Sequence, residues 1–328
     1  MRCAAGLPAI DRPQAPELTA RFATALDALW PERGGSRLAL AVSGGPDSLA
    51  LLLLAHGALP GRIAAATVDH GLRPESADEA AMVGAVCATL GVPHAVIAIE
   101  VAAGNVSAAA RTARYRALAG WMGDAGLGAL ATAHHRDDQA ETLLLRLNRG
   151  SGVAGLAGVR ARGIVPGCSL PLLRPVLEWR RSELAHLAAT AGLVAVDDPS
   201  NRDPRFDRAR LRMNLAAADW LDRAAIAASA AHLADADAAL EWAAAREWRE
   251  AVTRSGLGLT YRPQAPRAVA LRVLARIVTE LGEAPARGAA LARLFDTLVA
   301  RQPASIGNLV ARPLADGWSF TKAPARRG

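Results

Sequence analysis

The stretch Arg37-Leu-Ala-Leu-Ala-Val-Ser-Gly-Gly-Pro-Asp-Ser48 decides the fold. Arg37–Val42 is a short apolar run that stops at Ser-Gly-Gly, the pattern of a buried strand entering a tight loop. Asp47–Ala58 follows as a helix. Two glycines let the backbone turn sharply and approach a ligand closely. The helix behind them offers unpaired N–H groups and the positive end of its dipole. With the Ser43 and Ser48 hydroxyls as further donors, Ser43, Gly44, Gly45, Pro46, Asp47 and Ser48 read as a phosphate cradle. A plain Gly-Gly turn with Asp or Ser capping the helix is the alternative. The strand before, the helix after and the two serines together favour phosphate. The loop is not of the Walker type, because no Gly-Lys-Ser/Thr closes it. Asp47 would repel phosphate unless it held a cation, so Mg²⁺ is implied.

On either side of this stretch strand and helix alternate. Strands are expected at Arg62–Val68, His94–Val101 and Gly128–Ala133. Helices are expected at Glu17–Leu29, Glu75–Leu90, Val106–Gly123 and Gln139–Asn148. This order predicts an α/β fold, a parallel sheet with helices on both faces. Beyond Gly150 the chain is Gly-rich to Gly167, helical over Glu178–Ala191, and loop-like over Val196–Arg208. From Arg210 to Arg254 it reads as nearly continuous helix. Further helices are expected at Arg267–Leu281 and Arg287–Ala300, with one or two short strands after Ser305. The expected division is a domain over residues 17–213 and a smaller, mainly helical C-terminal domain over 214–328.

Composition narrows the class. The chain has 328 residues and is 52% hydrophobic, enough for two domains with real cores. A net charge of +7 and a pI near 10.4 point to a polyanionic partner, nucleic acid first. Lys322 is the sole lysine, so arginine bias in the coding sequence contributes to that figure. Three cysteines, Cys3, Cys87 and Cys168, are an odd number without a C-x-x-C pair, which argues against a disulfide framework or a four-cysteine zinc site. Neither a signal peptide nor a membrane span is legible, so a cytoplasmic location is expected.

Four further motifs carry chemistry. Val68-Asp69-His70-Gly71-Leu72-Arg73-Pro74-Glu75-Ser76 ends a strand, where Asp69 and His70 would reach the ligand crevice; a polar capping turn is the alternative. Ala110-Arg111-x-x-Arg114-Tyr115 sets two arginines on one helix face, fit to clamp phosphate or simply solvated. The run Ala131-Thr-Ala-His134-His135-Arg136-Asp137-Asp138-Gln139-Ala-Glu141-Thr142 suits metal binding or proton transfer. Last, Leu173-Arg174-Pro175-Val176-Leu177, Asp197-Asp198-Pro199-Ser200-Asn201 and Arg208-Ala209-Arg210-Leu211-Arg212 end in a basic segment, either solvated or in contact with RNA phosphates.

Ser43–Ser48 resembles the SGGxDS loop of the ATP-pyrophosphatase (PP-loop) family, and all five motifs, in order, resemble those of the tRNA(Ile)-lysidine synthetases. The likeness runs from about Arg37 to Arg212 and departs at Ala209, where the family carries Asn. It implies a PP-loop, adenine nucleotide alpha hydrolase-like fold and an accessory C-terminal domain with a tRNA-binding role. ATP and Mg²⁺ would sit on Ser43–Ser48, aided by Asp69, His70 and Arg111, with Asp47 at the metal. The partners implied are an isoleucine tRNA with a CAU anticodon and free L-lysine. The wobble cytidine would be adenylated and then ligated to lysine at C2, releasing pyrophosphate and AMP. Asp47, His134, Asp137 and Asp138 are the catalytic candidates. Arg114, Arg208, Arg210 and Arg212 are candidates for the RNA, and Glu141 for the lysine charge. Three rivals remain: a PP-loop tRNA thiolase, disfavoured by unpaired cysteines; a nucleotide-sensing module, which would not need the His134–Glu141 run; and a plain nucleic-acid binder, which Asp47→Ala would leave unharmed.

Overall fold

The computed structural model describes residues 16–71, 75–99, 106–196, 203–256, 258–284, 286 and 288–323. The chain forms two compact units: Met1–Arg149 with Gly158–Ala230, and Gly150–Ala157 with Ala231–Gly328.

The first unit is built on a six-stranded sheet in the order β3-β2-β1-β4-β6-β5. Its strands are β1 (Arg37–Ala41), β2 (Ile63–Asp69), β3 (His94–Ala98), β4 (Leu127–Ala131), β5 (Arg162–Ile164) and β6 (Pro171–Leu173). All pairs are parallel except β5–β6. The helices are α1 (Pro16–Leu29), α2 (Pro46–Ala58), α3 (Ser76–Thr89), α4 (Val106–Asp124), α5 (Arg136–Leu147), α7 (Arg181–Thr190) and α8 (Asp207–Ala217).

Strand alternation divides the apolar residues between two cores. Leu38, Leu40, Val42, Ile63 and Ala65 pack with α2, α3 and α7. Ala39, Ala64 and Ala66 turn the other way, against Tyr115, Leu118 and Met122 of α4. Every residue from Ser48 to Ala55 in α2 is buried. That helix is enclosed on all sides, with α1 and α7 packed on it, which is why its sequence reads as leucine and alanine without a polar face.

β1 lies between β2 and β4. The chain therefore leaves β1 toward one side of the sheet and returns to β4 on the other, making a switch point at their C-terminal ends. Leu40 pairs with Ala131 across these strands. The loops beginning at Ser43 and Thr132 thus emerge side by side.

The Gly-rich stretch 151–167 holds a short helix, α6 (Val153–Leu156), and β5. Its later part is tied down by Gln139, which accepts a hydrogen bond from Val159 N–H (2.6 Å) and donates one to Val159 C=O (2.8 Å). The domain division falls after Ala230, not at Asn214, because α8 packs on α5 and stays with the first unit.

The second unit contains more strand than expected. α9 (Arg223–Ala251) enters it, followed by β7 (Val252–Ser255), β8 (Gly258–Tyr261), α10 (Arg267–Glu280), α11 (Gly288–Val299), β9 (Ala304–Ile306), β10 (Leu309–Pro313) and β11 (Trp318–Lys322). The five strands form an antiparallel sheet, β7-β8-β11-β10-β9. Val269, Val273, Leu274, Ile277 and Val278 repeat at helical spacing on α10 and fill the core with Tyr261, Trp318 and Phe320. Buried Glu247 accepts hydrogen bonds from the Tyr261 hydroxyl (3.1 Å) and from Gln264 N–H (2.7 Å), so its charge is not left bare.

Candidate active site

The phosphate loop is shaped by its own groups. Gly44 has φ +82°, the left-handed region that glycine enters without strain. Its carbonyl accepts a hydrogen bond from Val196 N–H at 2.9 Å. A Cβ at position 44 would lie 2.8 Å from Val196 Cγ2. In a trans peptide C=O and N–H point oppositely, so this bond directs the Gly45 N–H away from Val196. Gly45 is the N-cap of α2 and Pro46 supplies a preset first turn. Ser48 is buried, and its hydroxyl accepts from Ser43 N–H (3.1 Å) and donates to Gly45 C=O (2.9 Å). It holds the loop closed, and with its own proton on Gly45 C=O it accepts from the Ser43 hydroxyl at 3.3 Å; Ser43 itself is exposed.

From the neighbouring strand, α5 begins at Arg136 rather than Gln139, so Asp137 and Asp138 occupy its first turn, at the positive end of the dipole. Asp138 accepts a hydrogen bond from His135 N–H (3.1 Å), the N3-to-N-cap half of a capping box. His135 is the hub that sequence reasoning passed over. Its Nε2 lies 3.5 Å from carboxylate oxygens of Asp47 and Asp138, and its Nδ1 lies 3.8 Å from Asp137. Burial alone would lower the affinity of this imidazole for a proton. The hydrogen bond to Asp47 and the charges of Asp138, Asp47 and Asp137 outweigh it and raise the pKa above the ordinary value. The H-x-x-D spacing, which puts a polar N-cap three residues before an acid, is the signal that marks His135.

His134 behaves oppositely. Its Nδ1 is 2.8 Å from Thr132 Oγ1. Burial takes its pKa down to about 3; nearby Asp138 pulls the other way, and Arg174, Arg111 and Arg208 reinforce the fall. It is neutral at physiological pH.

Glu141, one helical turn beyond Asp138, is buried and held by both arms of Arg212, at 2.6 and 3.1 Å. Arg212 also reaches Asp138 at 3.6 Å. Arg208, one turn earlier on α8, donates to Thr142 Oγ1 at 3.0 Å. Arg210 faces elsewhere and pairs with Asp207 (2.7 Å), which also binds Arg149. Ala209, at the position where the family has Asn, is buried.

Arg111 and Arg114 lie over the Tyr115 ring, at 5.0 and 5.8 Å from its centroid. Burial, with repulsion from Arg111, holds the pKa values of Arg114 and Arg174 below the usual arginine range. Such crowded guanidiniums favour an anion among them. His70 is lowered by burial and by Arg114, and its Nδ1 is buried without a hydrogen-bond partner. Asp69 takes up a turn instead: it accepts from Gly71 N–H at 2.8 Å. Leu72, Arg73, Pro74 and the Asp197–Asn201 motif lie outside the described residues.

The structure thus brings Asp47, Asp137 and Asp138 together around His135, beside the Ser43–Ser48 loop, with Arg212 linking Asp138 to Glu141. It leaves Arg210 and the Asp69 carboxylate to other contacts. Among the described residues no group of three or more His, Cys, Asp or Glu side chains forms a ready metal cage. Asp47 Oδ1 is buried and without a hydrogen-bond partner, an oxygen that could take a cation.

A Ser-Gly-Gly loop and an acidic helix start, side by side at the switch point of a parallel sheet, are the arrangement expected of a PP-loop protein. The family model described as PP-loop domain matches residues 18–218. The fold is likewise similar to that of the U34-tRNA thiolase NcsA of Methanococcus maripaludis, with TM-score 0.52 and 15% identity over 66% of this chain and 77% of that one. The chain is 48% identical to the tRNA(Ile)-lysidine synthase of Novosphingobium aromaticivorans, over 94% of each chain. It is 40% identical to that of Zymomonas mobilis, over 89% of this chain and 90% of the relative. The chain belongs to the tRNA(Ile)-lysidine synthase family.

Proposed function

We propose that this chain ligates free L-lysine to C2 of the wobble cytidine in an isoleucine tRNA with a CAU anticodon, in the cytoplasm. The observation that carries the reading is the Asp47–His135–Asp138 and Glu141–Arg212 network beside the phosphate loop, in a chain of this family. A nucleotide sensor would need the loop alone.

The chemistry runs in two displacements. Cytidine O2 attacks the α-phosphorus of ATP and pyrophosphate leaves. The lysine ε-amine then attacks C2, and O2 departs with AMP. Gly45 N–H and the start of α2 bind phosphate oxygens. Arg111 and Arg114 neutralise further negative charge, with Arg174 beside them. Asp47 would hold a Mg²⁺ ion through its unpartnered Oδ1, and such an ion would supply charge neutralisation to the phosphates. Lysine arrives as an ammonium ion and must lose a proton. His134 is a poor acceptor, since its conjugate acid is too strong. Both Asp137 oxygens are already engaged, one by Arg181 N–H at 3.1 Å and the other by Arg223 at 3.4 Å. Asp138 is the carboxylate we assign to the amine, with Glu141 matching the charge of the incoming ammonium and Arg212 gating that carboxylate. Arg208 contacts the RNA.

The described cysteines offer no support for thiolation. Cys87 is buried in the core, which pushes its pKa up to about 12, and Cys168 is half-buried.

The deciding measurement is incorporation of labelled lysine into a CAU-anticodon transcript with ATP, followed by mild alkali to remove esters. Stable label on the CAU transcript, absent from a UAU transcript and lost in Asp47→Ala, is the expected result. No label, with ATP and tRNA both bound, would overturn the reading.

A further inference from the structure

Beside the carboxylate network, α5, α7 and α9 all begin at the rim of one open cavity of about 610 Å³. Its lining includes Arg136, Arg180, Arg181 and Arg223. This charge placement runs against helix electrostatics. The N-terminal turn already carries the positive end of the dipole and favours acidic residues. Here Arg136, Arg181 and Arg223 open the three helices and Arg180 is the N-cap of α7. The two acidic residues lining the cavity are engaged. Asp222 accepts from Ala224 N–H at 2.7 Å, capping α9. Asp137 accepts from Arg181 N–H at 3.1 Å and faces Arg223 at 3.4 Å. Among the described residues, the guanidiniums of Arg136, Arg180 and Arg181 make no ion pair. Three guanidiniums without an ion pair, gathered where backbone dipoles repel them and beside an Arg223 already paired with Asp137, form a site for an anion.

We propose that this cleft holds a backbone phosphate of the RNA substrate. The inference rests on the tRNA reading above. Guanidinium forks match phosphate oxygens in pairs. They come from three separate helices around an open mouth, and Arg180 and Arg181 are exposed, which suits a passing polyanionic strand better than an enclosed small ion. The wall shared with the active site is Asp137, whose carboxylate touches both Arg223 and His135. A strand delivering its base to the crevice would pass here.

The test is the double variant Arg180→Gln, Arg181→Gln in the full chain, beside the Lys–Lys pair. A fluorescent anticodon stem-loop RNA is titrated across salt concentrations, and ATP affinity is measured on the same samples as the check on folding. Expected are a loss of about tenfold in RNA affinity and a salt slope lower by about one to two, with ATP affinity unchanged and the Lys–Lys variant keeping most of the slope. Unchanged RNA affinity and slope would overturn the proposal while leaving the lysidine reading intact. Weakened inhibition by added pyrophosphate, with RNA binding unchanged, would assign the cleft to the free product and equally overturn it. Failure of the wild-type chain to bind RNA at all, with ATP bound, would remove the tRNA reading itself.

Discussion

Gly44→Ala tests how the phosphate loop is held. At φ +82° an alanine carries a left-handed penalty of about 1–2 kcal/mol. Its Cβ would also lie 2.8 Å from Val196 Cγ2, 3.2 Å from Met82 Cε and 3.3 Å from Val83 Cγ2. Those methyl groups are packed, so the overlap adds roughly 1–3 kcal/mol. The loss of stability is then about 2–5 kcal/mol if the loop stays in place. If it shifts instead, the Val196 N–H to Gly44 C=O bond breaks and the Gly45 N–H turns from its set direction. Either route weakens ATP. Gly45→Ala is the control, since Gly45 has φ −70° and its Cβ would meet nothing nearer than Ser43 Oγ at 3.8 Å. An alanine there changes stability by less than about 1 kcal/mol in either direction. Urea unfolding gives the stabilities and calorimetric titration the ATP affinities. Equal stability for the two variants, or wild-type ATP affinity in Gly44→Ala, would refute the role assigned to this contact.

Two other predictions concern titrating groups. His135 has its folded pKa raised above the unfolded value, so its stabilisation is fully present below the unfolded value near 6.5 and is lost as pH rises through the folded one. The stability gap between wild type and His135→Gln should therefore be widest near pH 5.5 and shrink at pH 8.5 in urea melts; a gap that widens with pH would be the wrong sign. Cys87, at 0% exposure with its pKa pushed up to about 12, should resist a thiol reagent in the native protein and react only after denaturation; rapid native labelling at Cys87, located by peptide mapping, would show the core description to be mistaken.

Much of the α/β unit was legible because its elements are long and each has one dominant signal. β1, α2 and the turn between them are written in an apolar run, two glycines and a leucine-rich helix. β5 and β6 were missed, since three-residue strands have no period to read. The start of α5 was placed three residues late because Arg136, Asp137 and Asp138 look like loop; they are helical through tertiary placement and the His135–Asp138 capping contact. β7 was hidden behind an alanine-rich segment that reads as one helix through Arg254, and β8, four residues beyond it, is too short to show a period. At the site, the residue types were legible but not their partners. Asp137, Asp138 and Glu141 stand out in sequence. That His135, not His134, is the hub depends on which ring lies against carboxylates and which among arginines, and chain spacing does not carry that. Arg208 and Arg212 share a face by their i, i+4 spacing; only the packing of α8 on α5 decides that this face, not that of Arg210, meets Glu141.

Gln139 shows how little a loop needs in order to be fixed. Its amide gives Val159 both an acceptor and a donor, so one side chain replaces a whole neighbouring strand at a single rung. The clasp recognises only main chain. The clasp itself asks nothing of the side chain at position 159 beyond a main-chain N–H. Position 158 has no such freedom: Gly158 sits at φ +66°, and a Cβ there would fall 2.4 Å from the Gln139 carbonyl oxygen. Across one peptide bond the demand of the clasp changes from a main-chain N–H to the absence of a side chain.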